Sequence, residues 1–280
     1  MWNVNGKIVL ITGATSGIGK ANAKTLAKEG AVIFFTARDK EKAVLTQAEI
    51  IKETGNRKVG FYFCDLSSFD SVKELTRNFL KDNRDLHVLI NNAGTWSLRK
   101  RLSKDGIETT FQVNYLSQVL LTLLLLDTLK KSAPSRIINV SSAMHRSAKI
   151  DLDDLEMKNH FNGIQAYGKS KLELILFTKR LAKELGRTSV TVNAVHPGLV
   201  RTNLFSNFPQ LLVRIILLGA LTPNEGARTS VFLATSDEVS EISGEYFAKE
   251  KVEKSSDTSF DKELQEKLWN ITLKYLEKYL

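Results

Sequence analysis

Short apolar runs, rich in β-branched and aromatic residues, alternate along the chain with longer segments in which apolar residues recur at helical spacing. The short runs are continuous, which is typical of strands buried on both faces of a parallel sheet. They cover residues 7–12, 32–37, 59–64, 88–91, 136–140, 189–195 and 245–247. The helical segments include residues 18–29, 71–82, 111–131, 166–186 and 222–235. This order predicts an α/β fold, a doubly wound parallel sheet of about seven strands with helices on both faces.

The domain organisation follows from what lies between these elements. The chain has 280 residues, and no linker-like, low-complexity or repeated segment interrupts the alternation. We therefore expect a single domain over residues 1–280. Residues 249–280 end in an amphipathic pattern, which predicts a C-terminal helical extension docked on that domain. Its apolar positions are Leu264, Leu268, Trp269, Leu273 and Leu276.

The charge balance raises nucleic acid as a partner. Lys and Arg number 40 against 31 Asp and Glu, which gives a formal charge of +9. Residues 97–149 carry nine basic and three acidic side chains, without interleaved aromatic residues and without helix-turn-helix or zinc spacing. This pattern favours a solvated face, or steering of an anionic substrate, over nucleic-acid binding.

The remaining composition bears on the compartment. One cysteine, Cys64, cannot form an internal disulfide, and residues 1–7 enter the first predicted strand without a basic leader segment. The longest aliphatic stretch, residues 119–126, is far shorter than the roughly 20 residues that span a bilayer. We expect a cytoplasmic protein without a transmembrane anchor. The four histidines have no metal-ligand spacing, so we expect no bound metal.

A glycine-rich turn joins the first predicted strand to the first predicted helix. Glycines there allow a tight turn and let a pyrophosphate approach backbone N–H groups at a helix N-terminus, where the helix dipole favours negative charge. The turn therefore predicts a dinucleotide site of the Rossmann-like type. Its candidate residues are Gly13, Thr15, Ser16, Gly17, Ile18 and Gly19.

The end of the second predicted strand bears on the choice of dinucleotide. A carboxylate there would bind the 2′-hydroxyl of NAD, whereas Arg38 offers a cation for the 2′-phosphate of NADP. Asp39 follows directly and would serve NAD if the turn were rotated. We expect NADP(H) to be preferred over NAD(H).

Tyr167 and Lys171 stand four residues apart in a predicted helix and so share one face. Acid/base work by a phenol near neutrality needs its pKa lowered by roughly 2–3 units, a shift that a neighbouring cation favours. Ser142 leaves the carboxyl end of a predicted strand, where its hydroxyl could donate to an alkoxide. Ser141 is the alternative, since neighbouring strand residues face opposite ways.

Together these features resemble the short-chain dehydrogenase/reductase superfamily over nearly the whole chain. The resemblance rests on the turn 12–19, Asn91-Asn92-Ala93-Gly94, Asn114, Ser141-Ser142, Tyr167, Lys171 and Pro197-Gly198. It implies a catalytic tetrad of Asn114, Ser142, Tyr167 and Lys171. In that tetrad Asn114 holds a helix kink and a relay water, and Ser142 binds the substrate oxygen. Tyr167 exchanges its proton, and Lys171 holds the nicotinamide ribose and lowers the pKa of the tyrosine.

The resemblance also implies cofactor contacts beyond the glycine turn, Tyr167 and Lys171. Near the adenine it implies Asp65 and Leu66, and along the cofactor it implies Asn91, Ala93 and Gly94. Around the carboxamide it implies Pro197, Gly198, Val200 and Thr202.

Two stretches are similar to the retinol dehydrogenase group of that superfamily. The first comprises residues 105–114 and continues to residues 130–136. The second is the end of the chain, with residues 244–247 followed by Leu268-Trp269. Members of this group usually prefer NADP(H), in keeping with Arg38. Tyr115 departs from the group, whose members commonly carry histidine there, and we expect no N-terminal membrane anchor of the kind they often have. Retinoid specificity is therefore not carried over.

Residues 204–221 are predominantly apolar and include Phe205, Phe208, Leu211, Leu212, Ile215 and Ile216. In the family this region is the substrate lid, which implies a lipophilic alcohol or carbonyl substrate. A packed core helix is the alternative, and peripheral membrane contact aided by Arg214 is compatible with either. Helices 111–131 and 166–186 form a dimer contact in many relatives, so a homodimer is a candidate.

These inferences combine into one functional hypothesis. The sequence predicts an NADP(H)-dependent oxidoreductase that transfers hydride between the nicotinamide and an apolar alcohol, aldehyde or ketone, with Tyr167 as general acid/base. A catalytically silent NADP(H)-binding sensor or scaffold is the alternative. The tetrad favours the enzyme, because silent relatives usually lack the tyrosine or the lysine.

Overall fold

The computed structural model describes residues 2–186, 188–205, 208, 213 and 217–280. Its strands are β1 (Ile8–Ile11), β2 (Val32–Ala37), β3 (Val59–Phe63), β4 (Val88–Asn91), β5 (Ser135–Val140), β6 (Val190–His196), β7 (Tyr246–Ala248) and β8 (Lys251–Glu253). They form one sheet in the order β3-β2-β1-β4-β5-β6-β7-β8. Strands β1 to β7 are parallel, and β8 is antiparallel to β7.

Helices cover both faces of this sheet. They are α1 (Gly17–Lys28), α2 (Lys40–Thr54), α3 (Phe69–Asp82), α4 (Thr109–Lys131), α5 (Gly163–Leu185), α6 (Pro223–Thr235) and α7 (Lys262–Leu276). Within α4, the segment Gln112–Leu116 is π-helical. Helices α1, α2 and α6 pack on one face, and α3, α4, α5 and α7 on the other. The single doubly wound α/β domain expected from the sequence is confirmed.

Burial of the central strands on both faces explains their continuous apolar sequence. Every residue of β5 is buried. Ile137 packs into the core beneath α4 and α5, whereas its neighbour Ile138 packs into the core beneath α1 and α6. Alternate residues of one strand thus serve two cores, which leaves no polar face along the strand.

Two elements differ from the sequence prediction. The sheet has eight strands in place of about seven, because the exposed edge strand β8 reads Lys-Val-Glu and carries no apolar run. Helix α2 was not among the helices identified, since its apolar residues do not lie on one side. Val44 and Leu45 face solvent, while Ala43 and Ile50 face the sheet.

The C-terminal extension lies along helix α5. The Trp269 ring stacks on Phe177 with ring centroids 5.9 Å apart, and the Arg180 guanidinium lies 4.7 Å from the Trp269 ring centroid. The fully buried Tyr115 places its hydroxyl 2.7 Å from Thr272 Oγ1, so this departure from the retinol dehydrogenase pattern contacts α7. Helix α7 thus occupies part of the α5 surface, and a homodimer through α4 and α5 stays a prediction.

By length and composition, one helix in the described part of the chain could cross a membrane. This helix is α4, and most of its apolar stretch is buried inside the domain. Core helices of this kind pass the same test, so the observation is weak evidence for a span.

Replacing Leu268 by Ala tests whether α7 is an integral part of the domain. Leu268 is 1% exposed, so Leu268→Ala should lower the free energy of unfolding by about 2–5 kcal/mol in urea titrations followed by circular dichroism. Leu45→Ala is the matched control, because Leu45 is 70% exposed and its loss should change stability by less than about 0.5 kcal/mol. Equal effects of the two substitutions would show that α7 folds independently of the core.

Candidate active site

The glycine turn lies at the carboxyl end of β1, where α1 begins. Gly13 and Gly17 have φ angles of 68° and 56°, a region that side chains with a Cβ rarely adopt. Ser16 is the N-cap residue of α1, and its side chain makes no capping hydrogen bond. The backbone N–H groups of the first turn of α1 are therefore available to an anion.

Close packing around the turn explains the other glycine. A Cβ at Gly19 would lie 2.5 Å from both Gly13 O and Asn92 Nδ2. The Asn92 amide donates to Thr12 O at 2.8 Å and so joins the turn to the segment after β4. Asn92 is assigned no role in the sequence analysis. Its position between the predicted site residues Asn91 and Ala93 is the signal that could have indicated one.

The two candidate residues for the adenosine ribose differ in what they contact. Arg38 is exposed just after the last residue of β2. Asp39 is the N-cap of α2, where its carboxylate accepts from the Lys42 N–H at 3.1 Å and lies 3.7 Å from Lys42 Nζ. These contacts hold the pKa of Asp39 below its usual range. The carboxylate that would serve NAD is thus bonded within its own helix.

Asp65 and Leu66 follow β3 at the same edge of the sheet. The Asp65 carboxylate accepts from Ser67 N and Oγ at 3.0 and 2.8 Å and pairs with Lys104 Nζ at 2.9 Å. Burial opposes ionisation of Asp65, but these contacts prevail and its pKa lies below the usual value. Leu66 O accepts from Ser117 Oγ at 2.6 Å, which fastens this turn to α4.

The segment after β4 approaches the centre of the site. The Asn91 side chain is 1% exposed and donates to Thr122 Oγ1 and Asn139 Oδ1, both at 2.8 Å, so its amide lies in the core. Gly94 comes closer to the candidate catalytic groups. A Cβ there would lie 3.5 Å from Lys171 Nζ.

Asn114 occupies the π-helical part of α4. Its Oδ1 accepts from Thr95 N at 2.7 Å, and its Nδ2 donates to Thr95 O and Ser170 Oγ, both at 3.0 Å. The wider π turn therefore directs a buried amide between the segment after β4 and helix α5. The expected irregularity of the helix at Asn114 is present.

Tyr167 and Lys171 lie one turn apart in α5, and the Lys171 side chain reaches the carboxyl end of β5. The Ser142 hydroxyl lies near enough to the Tyr167 phenol to favour its ionised form, and it accepts from Met144 N at 3.3 Å. Ser141 Oγ instead donates to Lys171 O at 2.9 Å. The structure thus places Ser142 near the phenol and gives Ser141 a contact with the helix backbone.

Burial dominates the titration of the Tyr167–Lys171 pair. It raises the pKa of Tyr167 to about 12, an effect that the Ser142 hydroxyl only partly offsets. It lowers the pKa of Lys171 to about 8. Lys171 Nζ donates to Val140 O at 2.9 Å and lies 5.7 Å from the Tyr167 ring centroid. The shift of Tyr167 is opposite to the expected one, because desolvation outweighs the more distant cation.

A close backbone approach sets the spacing between Ser142 and α5. A Cβ at Gly168, next to Tyr167, would lie 2.8 Å from Met144 O. The short 3₁₀ helix Ala143–Ser147 can therefore rest directly on α5. Only glycine at position 168 permits this contact without a shift of the backbone.

Aromatic side chains surround the phenol. The Trp96 ring stacks on Tyr167 with centroids 4.5 Å apart and planes 11° from parallel, while its Nε1 donates to Gly163 O at 3.0 Å. Phe205 and Phe208 contact the same indole with centroids at 5.6 and 4.8 Å. Trp96 was not among the predicted site residues, although a large aromatic residue just after the carboxyl end of a strand was a usable signal.

The loop after β6 returns to the glycine turn. Gly198 has a φ of 87°, and a Cβ at Gly17 would lie 3.0 Å from the Thr202 side chain. Val200 packs so closely on α6 that a Cβ at Gly226 would lie 2.5 Å from it. The predicted carboxamide loop thus adjoins the start of α1.

The predicted lid is described in part. Phe205 and Phe208 are buried in the aromatic cluster, Leu217 packs against it, and Leu218 is 77% exposed. Four of the apolar lid residues named in the sequence analysis, and the basic one, lie outside the described residues. They are Leu211, Leu212, Arg214, Ile215 and Ile216.

Comparisons with known proteins agree with this geometry. The model of the short chain dehydrogenase family matches residues 7–211. Retinol dehydrogenase 12 of Mus musculus is 40% identical and covers 98% of this chain and 87% of its own. Polyprenol dehydrogenase of Homo sapiens is 39% identical and covers 94% and 83%.

Solved structures show the same fold. An uncharacterised protein from Mycobacterium paratuberculosis matches with a TM-score of 0.81 at 26% identity, over 99% of this chain and 96% of that one. The Pseudomonas aeruginosa RhlG/NADP active-site complex matches with a TM-score of 0.71 at 28% identity, over 88% and 95%.

Three independent observations therefore point the same way. The family model covers most of the chain, relatives at 39–40% identity cover nearly all of it, and the structure assembles Ser142, Tyr167 and Lys171 at one edge of the sheet. The chain belongs to the short-chain dehydrogenase/reductase family of oxidoreductases, which use nicotinamide cofactors, and to its retinol dehydrogenase-like group.

Proposed function

We propose that the protein is an NADP(H)-dependent oxidoreductase that interconverts an apolar alcohol and its aldehyde or ketone, with Tyr167 as general acid/base. The observation that carries this proposal is the grouping of Ser142, Tyr167 and Lys171 at the carboxyl end of β5, next to an aromatic cluster. A silent sensor would not need this grouping.

The residues present fit a dinucleotide. Positive φ angles at Gly13 and Gly17 expose the backbone N–H groups at the start of α1, which would hold the pyrophosphate. The adenine would lie near Asp65 and Leu66, and the nicotinamide between Gly94 and residues 197–202. When bound, the cofactor supplies or accepts a hydride at C4 of its nicotinamide.

The preference for NADP(H) rests on the end of β2. Arg38 is exposed there and would pair with the 2′-phosphate, while Asp39 is bonded to Lys42 within α2. Because the Asp39 carboxylate also caps α2, turning it towards a ribose would cost that capping bond.

The protein groups suit reduction of a carbonyl. The Ser142 hydroxyl would donate to the substrate oxygen, and the Tyr167 phenol would transfer its proton to that oxygen as negative charge develops. The raised pKa of Tyr167, about 12, keeps this proton on the phenol at neutral pH. Lys171 would stabilise the phenolate that remains, and the Asn114 amide would hold α5 in register through Ser170.

The substrate class follows from the surface beside the phenol. Trp96, Phe205 and Phe208 offer aromatic faces and few hydrogen-bonding groups, which supports a lipophilic substrate. The relatives named for retinol and polyprenol support the same class, since both names refer to long apolar alcohols.

The same surface bears on location. We place the protein in the cytoplasm with peripheral contact to a membrane, where a lipophilic substrate would be concentrated. Leu199 and Leu218, next to the loop after β6 and the aromatic cluster, are 44% and 77% exposed and would enter the headgroup region.

Replacing Tyr167 by Phe tests the mechanism. Tyr167→Phe removes the proton that is transferred, so turnover should fall at least about 100-fold, while the affinity for NADPH stays within about 3-fold. The assay follows NADPH oxidation at 340 nm with retinal, aliphatic aldehydes and aromatic aldehydes. Tyr62→Phe is the control, because that phenol is bonded to Asp82 on α3 and should leave turnover unchanged. Retained activity of Tyr167→Phe would refute the mechanism.

Replacing Arg38 by Asp tests the cofactor preference. A charge-assisted hydrogen bond contributes about 1.5–3 kcal/mol, so the ratio of KM for NADPH to KM for NADH should rise at least about 10-fold in Arg38→Asp. Arg57→Asp makes the same charge change at an exposed site before β3, at the opposite edge of the sheet, and should leave the ratio unchanged. An unchanged ratio in Arg38→Asp would remove Arg38 from this role.

Replacing Gly168 by Ala tests the backbone contact that positions Ser142. Alanine normally favours a helix by about 1 kcal/mol over glycine, but here its Cβ would meet Met144 O at 2.8 Å. We expect kcat to fall several-fold, with NADPH affinity unchanged. A variant with wild-type kcat and raised thermal stability would show that the spacing between Ala143–Ser147 and α5 is not needed for turnover.

A further inference from the structure

His145 is buried beside the site, and the proposed chemistry does not use it. Its side chain is 0% exposed and lies in the 3₁₀ helix that follows Ser142. Its Nδ1 is 2.7 Å from Ser142 O, and its Nε2 is 3.0 Å from Ser256 N in the C-terminal extension. The imidazole therefore bridges two backbone groups that lie far apart in the sequence, Ser142 O and Ser256 N.

The two partners fix the position of the ring proton. Ser256 N–H can only donate, so Nε2 accepts and carries no hydrogen. Ser142 O can only accept, so Nδ1 carries the proton and donates. Burial lowers the pKa of His145, which favours this neutral form.

The charged and titratable groups around the ring come from four elements, the 3₁₀ helix itself and strands β6, β7 and β8. Arg146 Nη2 donates to Lys254 O at 2.8 Å and lies 3.5 Å from the Glu253 carboxylate, which ties the same 3₁₀ helix to the C-terminal extension a second time. The Tyr246 ring of β7 packs on the imidazole at 4.8 Å, and His196 Nδ1 at the end of β6 accepts from Ala143 N at 3.3 Å. His145 thus lies between the catalytic serine and residues 253–256.

The hydrogen bond from His145 Nδ1 to Ser142 O also affects the orientation of the Ser142 hydroxyl. Ser142 Oγ accepts from Met144 N at 3.3 Å, which ties the hydroxyl to the turn that follows Ser142. The orientation of that turn therefore also sets the direction of the hydroxyl. Holding that carbonyl limits rotation of the peptide between Ser142 and Ala143. The hydroxyl is then kept on the side of the serine that is near Tyr167.

We propose that His145 is a positioning residue that links the C-terminal extension to Ser142, by donating from Nδ1 to Ser142 O while accepting from Ser256 N–H at Nε2. This inference rests on the proposed function, because it concerns the orientation of a residue assigned to that reaction. Of the two contacts of His145, the one to Ser142 O acts on turnover, whereas the one to Ser256 N holds the ring against the C-terminal extension.

Two isosteric substitutions separate the two hydrogen bonds. His145→Asn puts an amide donor near the place of Nδ1, whereas His145→Gln puts an amide oxygen near the place of Nε2. We expect His145→Asn to keep kcat within about 3-fold of wild type and His145→Gln to lower it at least about 10-fold. KM for NADPH should be unchanged in both, because Ser142 does not hold the cofactor.

Each variant loses the ring and one hydrogen bond, so a purely structural role would lower the melting temperature and the kcat of both similarly. Equal kcat values for the two variants would therefore overturn the proposal. The substrate is the aldehyde of the panel above that wild type reduces fastest. If His145→Asn and His145→Gln have the same kcat while Tyr167→Phe is inactive, only the positioning role is refuted. If Tyr167→Phe stays active, the proposed function is refuted.

The tautomer provides a test that needs neither a variant nor a substrate. Long-range ¹⁵N–¹H correlation spectra of the ¹⁵N-labelled wild-type protein should show a protonated Nδ1 and an unprotonated Nε2 for His145, assigned through bonds from its Cβ. A proton on Nε2 would overturn the proposal, because Nε2 could then not accept from Ser256.

Discussion

Two reciprocal hydrogen bonds at Lys171 fasten helix α5 to the end of strand β5. Lys171 Nζ donates to Val140 O, and Ser141 Oγ donates to Lys171 O, both at 2.9 Å and both buried. In a dry environment such groups are costly to leave unpaired, so the two bonds hold the helix at one height along the strand. Ser142 follows directly on one side and Tyr167 lies one helical turn back on the other. Their proximity is a consequence of this attachment.

Side-chain amides connect this attachment to the neighbouring strand β4. Asn91 Nδ2 on β4 donates to Asn139 Oδ1 on β5, and Asn139 Nδ2 donates to Thr178 Oγ1 on α5. The cofactor turn is connected in the same way, because Asn92 binds Thr12 O at the end of β1. The candidate catalytic groups and the candidate dinucleotide turn therefore lie on one hydrogen-bonded edge, which limits their relative movement.

The sequence predicted the parts of this arrangement that have a local signal. Continuous apolar strands, the glycine turn and the spacing of Tyr167 and Lys171 are properties of neighbouring residues. The direction of the tyrosine's pKa shift was not accessible, because it depends on how completely the folded chain buries the phenol. Gly168 and His145 have no local signal either, since each contacts a segment far away in the sequence. Helix α2 and strand β8 lack the apolar periodicity on which the prediction depended.

The C-terminal extension carries none of the site motifs, yet it contacts the elements that hold the candidate site. Its helix α7 covers α5 through Trp269, and its residues 253–256 contact the 3₁₀ helix after Ser142 through His145 and Arg146. Tyr115 adds a third contact, from α4 to α7. A segment that contributes no predicted catalytic or cofactor residue thus touches three elements that carry them. Substitutions in it that leave the tetrad unchanged can therefore alter turnover, because they act on the backbone from which Ser142 and Tyr167 project.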